Sequence, residues 1–143
     1  MIVLVQANIL TVGLNGKNKV LRELPIRLVA TQSGVEAARS LKSQKVDSVI
    51  SNWDLEDMAD GEFLKKLRAV KPEIPTIVFV KAEQDHAQEI AARSAGVSAV
   101  LTEDVSDELF LKTVANVLSL EDVVSIKAIS SSKKTRRYSK VTK

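Results

Sequence analysis

Within the stretch "SNWDLEDMADGEF" stand an amide, Asn52, and the carboxylates Asp54, Glu56, Asp57 and Asp60. Carboxylates gathered in this way can hold a hard divalent cation through oxygen ligands. The order lacks the D-x-D-x-D-G alternation of a calcium loop, so the residues favour an exposed acidic loop and no metal is expected. Asn52 closes an apolar run with an amide, which is neither a nucleophile nor an anionic ligand. The single histidine, His86, lies in a polar helical start with no second histidine to complete a site, and reads as a surface residue. The chain has no cysteine, which excludes thiol catalysis, disulfides and cysteine metal sites and suits a reducing cytosol.

Charge is the other concentrated feature. The formal net charge is +3, but residues 121–143 hold seven Lys or Arg against two acids, leaving 14 basic and 16 acidic groups in residues 1–120. A mildly acidic body therefore carries a basic tail. Within "SSSKKTRRYSKVTK", Lys133, Lys134, Arg136 and Arg137 are the candidate phosphate contacts for weak nucleic-acid binding by counterion release, with Tyr138 available to stack on a base. No helix-turn-helix, zinc finger or RNA-binding motif accompanies them, and a solvated tail or interdomain linker is the more economical reading. The preceding "VVSIKAIS" alternates like a strand, and either extends the fold or leads into a further domain.

The elements that must position these residues alternate along residues 1–120, the expected domain, with residues 121–143 as its basic tail or linker. Short β-branched runs at Ile2–Val5, Ile26–Ala30, Ser48–Ser51, Thr76–Val80 and Ser98–Thr102 read as five strands, several apolar enough to be buried on both faces. Helical patterns lie between them. Ser33 and Glu36 have capping-box spacing, with Val35, Ala38 and Leu41 on one face. A helix from Asp60 turns Phe63, Leu64 and Leu67 inward and stops before Pro72; another ends at Gly96; a last one starts from Ser106 with acids in its first turn. The first helix, placed at Leu14–Leu24, is the poorest, because Gly13 and Gly16 disfavour a helix interior.

This alternation predicts an α/β fold: a doubly wound, five-stranded parallel sheet with helices on both faces. Its functional crevice should lie beyond the carboxyl ends of the strands, here Gln6 and Ala7, Asn52, Val80 and Glu103. No apolar run approaches the roughly 20 residues that span a bilayer, and no basic n-region opens the chain, so a cytoplasmic protein without membrane contact is expected.

The order of elements and the residues of "VISNWDLEDMADGEFLKKLR" resemble the receiver domains of two-component response regulators, particularly the chemotaxis response regulator, a flavodoxin-like fold. "SGVEAARSL", "EIPTIVFV", "SAGVSAVLTEDVS" and "ELFLKTVANVL" extend the resemblance across roughly residues 1–120. It implies an acidic pair after the first strand that binds Mg²⁺, a phosphoacceptor aspartate after the third, a Ser or Thr after the fourth and a Lys after the fifth.

Residue by residue, this chain departs from each requirement. Asn52 stands at the acceptor position. Gln6 and Ala7, or Ala7 and Asn8 in the neighbouring frame, match the acidic pair. Val80, or Lys81, matches the hydroxyl; Glu103 matches the lysine, and Val100 the aromatic switch residue. A carboxylate at Glu103 has the wrong sign, since like charges about 4 Å apart repel by roughly 1 to 4 kcal/mol between bulk-water and protein-surface dielectrics. Asp54 fits poorly as a substitute acceptor, because Leu55 and Gly61 match the loop best when Asn52 is the landmark and Ala59 is a one-residue insertion. Trp53 borders the pocket by resemblance, and packing against the sheet edge is its favoured role.

The expectation is thus a pseudo-receiver: a non-enzymatic, cofactor-free signalling module acting through protein partners or homodimerisation. By resemblance, that contact falls on the face formed by the fourth helix, fifth strand and fifth helix, with Val97, Phe110 and Lys112 upon it, or else on the third-helix side; most of the apolar residues of the last helix and its neighbour are expected in the core. The alternatives are a nucleic-acid-associated regulator using the tail, and an atypical receiver still phosphorylated or switched by a ligand.

Overall fold

The computed structural model describes residues 7–82 and 86–118. Five strands alternate with five helices: β1 (Ala7–Val12), α1 (Lys17–Leu21), β2 (Ile26–Thr31), α2 (Gly34–Ser43), β3 (Ser48–Asn52), α3 (Glu62–Val70), β4 (Thr76–Val80), α4 (Ala87–Ser94), β5 (Ala99–Thr102) and α5 (Asp107–Val117). The strands form one all-parallel sheet in the order β2-β1-β3-β4-β5. The doubly wound fold expected from the alternation is therefore present, and its strand order reverses between β1 and β3.

Period-two alternation divides the strand side chains between two cores. Leu10, Val12, Val49, Val78 and Val80 meet Ala37 of α2, Phe63, Leu64 and Leu67 of α3, and Ala92 of α4. Ile9, Ile50, Ile77, Phe79 and Leu101 meet Leu21 of α1 and Phe110 and Val114 of α5. Because β3 and β4 are covered on both sides, each is a continuous apolar or small-residue run. One buried polar pair interrupts the second core: Thr11 donates to Asn18 Oδ1 at 2.8 Å, while Thr31 donates to the Thr11 carbonyl at 2.7 Å.

Several boundaries move. The first described strand is Ala7–Val12; the expected strand Ile2–Val5 lies outside the described residues. Gly13, at φ +71°, ends this strand in a conformation that side chains disfavour. The first helix shrinks from the expected Leu14–Leu24 to five residues, continued to Leu24 only by turn hydrogen bonds. α3 starts after Gly61 and not at Asp60; Gly61 has φ +73°, and a Cβ there would lie 2.2 Å from the Trp53 ring. Val35, expected on the inner face of α2, is 46 % exposed, and Gly34 and Ala37 face inward in its place.

The caps at Ser33 and Ser106 form as their spacing implies, accepting from the N–H groups of Glu36 and Leu109 at 3.1 Å each. Gly96 follows α4 with φ +87°. Residues 119–143, with the candidate nucleic-acid contacts Lys133, Lys134, Arg136 and Arg137, lie outside the described residues.

Candidate functional site at the carboxyl edge of the sheet

Parallel strands deliver their last residues to one rim, where Gly13 follows β1, Asn52 ends β3, Val80 ends β4 and Glu103 follows β5. Register fixes their neighbours: Val12 stands beside Ser51, Asn52 beside Phe79 and Val80 beside Thr102. The side-chain amide of Asn52 donates to the Gly13 carbonyl at 2.7 Å, closing the gap between β1 and β3. Gly13 in turn donates its N–H to the Thr31 carbonyl at 2.9 Å. A Cβ at Gly13 would lie 3.2 Å from Leu55 and 3.3 Å from the Asn52 amide nitrogen, so the crevice is narrow here.

This geometry corrects one part of the site read from sequence. Ala7 opens β1 and pairs with Ile26, at the amino end of the sheet, and Asn8 follows it against Arg27. Gln6 lies outside the described residues. The residue beside Asn52 is instead Gly13, which follows Val12 in the β1–β3 register and carries no acid. The available signal was Gly13 itself, directly after the run Ile9–Val12.

The other rim residues stand where their strands place them. Val80 is buried and apolar, and Glu103 is exposed, its N–H bonded to the Val80 carbonyl at 3.1 Å. Val100, half-buried in β5, packs against the core beneath α2, α3 and α4.

The acidic loop is not a cation cage. Asp54 Oδ1 accepts the Asp60 N–H at 2.6 Å and Oδ2 accepts from the Gln88 amide at 2.9 Å. The same Gln88 side chain accepts the Lys81 N–H at 2.9 Å, so one amide ties the loop after β4 to the loop after β3. Asp57 turns away, accepting the N–H groups of Gly34 and Val35 at 2.9 Å each. These two backbone bonds at the start of α2 hold the Asp57 carboxyl below its ordinary value, because they favour the ionised form. Among the described residues no group of three or more potential ligands converges on a metal position.

Trp53 is 4 % exposed beneath Gly61, with Lys65 Nζ 5.7 Å from its ring centre, in keeping with a packing role. His86, at φ +55°, is exposed at the start of α4, with Nδ1 3.6 Å from Glu89. Sequence reasoning missed the roles of Asp57, whose partners lie 22 and 23 residues away, and of Gln88, which joins Lys81, seven residues away, to Asp54, 34 residues away.

Phe110 requires a second correction. It is fully buried, 5.2 Å from Phe79 in an edge-to-face pair, and cannot line a partner surface. Val97 is half-buried and Lys112 exposed, with Ile90 and Leu109 providing exposed apolar area nearby on α4 and α5.

A five-stranded parallel sheet in this order, with a crevice at the β1/β3 switch point, defines the flavodoxin-like class of doubly wound α/β folds. More narrowly, the chain belongs to the response regulator receiver domain family, whose model matches residues 12–115. It is a receiver domain of signal transduction. Transcriptional regulatory protein GlrR of Escherichia coli (strain K12) is 29 % identical over 91 residues, which are 64 % of this chain and 20 % of that relative. The chain thus spans about a fifth of that relative's length.

Solved structures agree on the fold. The signal receiver domain of an HD domain-containing protein from Pseudomonas fluorescens Pf-5 superposes with a TM-score of 0.72 at 21 % identity, covering 87 % of this chain and 96 % of that one. The chemotaxis response regulator CheY4 of Vibrio cholerae gives 0.69 at 20 % identity, covering 79 % and 99 %. No helix among the described residues is long and apolar enough to cross a membrane.

Proposed function

We propose that this receiver domain is a pseudo-receiver: a cytoplasmic, non-enzymatic module that acts through protein contacts without aspartyl phosphorylation. The observation that carries this reading is the Asn52 amide closed onto the Gly13 carbonyl at 2.7 Å. A phosphoacceptor needs an ionised oxygen and a cation beside it. Here the acceptor position holds a neutral donor, Gly13 beside it has no side chain to bind a cation, and Glu103 stands where the family has its lysine. Incubation with acetyl phosphate and Mg²⁺, followed by intact-mass analysis, should leave the mass unchanged. Addition of one phosphoryl group, at Asp54 or any other acid, would overturn the reading.

One proposed contact is the face of α4, β5 and α5, with Val97 and Lys112 beside the exposed Ile90 and Leu109. A second reading, supported by the charge contrast between body and tail, adds weak nucleic-acid binding through Lys133, Lys134, Arg136 and Arg137. It requires a steep salt dependence that vanishes when residues 131–143 are deleted. Binding unchanged by that deletion would remove it.

A further inference from the structure

An apolar groove of about 350 Å³ opens between α2 and α3, away from the sheet edge. Phe63 and Leu67 form its buried floor, Leu41 and Met58 its half-buried walls, and Val70, 75 % exposed, its open outer end. Scattered apolar side chains on a surface are ordinary, but here the exposed valine is continuous with a concave channel that reaches the core. Three lysines rim that channel: Lys42, Lys66 and Lys71. Lys66 pairs with Glu62 at 2.9 Å, whereas among the described residues Lys42 and Lys71 have no acidic partner.

The groove is also held in shape. Asp57 fastens the loop after β3 to the first N–H groups of α2, and Met58, the next residue, forms part of the wall. Gly34 lies against Met58 so closely that a Cβ there would be 2.4 Å from the sulfur. A preformed channel loses less entropy on binding than one that must assemble.

We infer that this groove is a docking site for an amphipathic helix of a partner protein, with an apolar seam flanked by Asp or Glu. The inference deepens the protein-contact reading above and rests on it. Length favours a helix: the nine residues of α3 run about 14 Å, or some two and a half turns, which seats apolar anchors spaced i, i+4 and i+7. Charge selects its sign, since Lys42 and Lys71 complement acids and oppose a basic helix. The same charge disfavours a second copy of this chain, because the rim would face itself.

The test is titration of the full chain, followed by amide chemical shifts, with a helical peptide carrying leucines at i, i+4, i+7 and i+11 and glutamates elsewhere; a second peptide has lysines for the glutamates. The acidic peptide should shift amides of α2 and α3. Val70→Glu, an exposed position that leaves the core intact, should weaken it about tenfold, and Lys42→Glu with Lys71→Glu should reverse the preference between peptides. Gly16→Ala before α1, where an added Cβ meets nothing within 4 Å, should change nothing. The inference is overturned if neither peptide shifts α2 and α3, if both bind alike, if the shifts fall on α4 and α5, or if the unliganded chain self-associates and Val70→Glu makes it monomeric. The phosphoryl assay keeps the two readings apart: a mass gain defeats the phosphorylation-independent reading whatever the peptides do, and silent peptides defeat the groove whatever the mass does.

Discussion

The crevice at the sheet edge and the groove between α2 and α3 are opposites in chemistry. The crevice is polar and answers its own needs: Asn52 bonds Gly13, and Gln88 bonds both Asp54 and Lys81. The groove is apolar and leaves Val70 in water and, among the described residues, two lysines without acids. A site whose donors and acceptors already pair with one another gains little from a ligand, because each new hydrogen bond replaces an existing one. An exposed apolar channel gains area burial from any partner of the right shape. The contrast puts exposed apolar area on the helical face of this receiver and internal hydrogen bonding at its sheet edge.

The comparison can be broken at its foundations first. Phe110→Ala should cost about 3 to 5 kcal/mol in urea unfolding, as for a buried aromatic and not a surface contact. A loss below about 1 kcal/mol would return Phe110 to the α5 surface. Gly61→Ala should cost about 2 to 4 kcal/mol, combining a left-handed backbone with a clash against Trp53, and should quench or shift Trp53 emission. Since that glycine joins the loop of the crevice to α3 of the groove, both sites should suffer together.

Two smaller changes sharpen the distinction. Asn52→Asp sets a carboxylate against the Gly13 carbonyl oxygen and should destabilise by about 1 to 2 kcal/mol. It should still not take a phosphoryl group, since Gly13 beside it offers no acidic side chain to hold a metal and Glu103 brings a negative charge where a cation is needed. A mass gain in this variant would show that one substitution suffices to restore the site. The smallest effect belongs to Asp57. Its folded pKa is depressed below 3.8, so its contribution is fully present above the unfolded value and is lost as pH falls through the folded one. Asp57→Asn should flatten that acid limb of the stability curve and loosen the peptide-binding groove, with little change in the mass assay.

How much of this was legible in the residues depended on range. β3 and β4 were plain because their runs are buried on both faces and punctuated by Asp47, Trp53 and Pro75. β1 was displaced because Ile2–Val5 is the more continuous apolar run, while Ala7 and Asn8 dilute the true strand; Gly13 was the better landmark. Phe110 looked available because helical periodicity places a residue on a face but does not say which face meets the sheet. Asn52 announced itself as an amide in place of an acid, yet its Gly13 partner lies 39 residues away. The Asp57 cap and the Gln88 bridge were invisible for the same reason, being long-range hydrogen bonds with no local pattern.

Gln88 carries one more consequence. By bonding Lys81 and Asp54 at once, it couples the end of β4 to the loop after β3. A switch needs two arrangements whose balance an input can tip. Under the phosphorylation-independent reading, no phosphoryl input tips such a balance here. What the domain can convey to the cell is then its dosage and its address: how many copies are made, and where they are held.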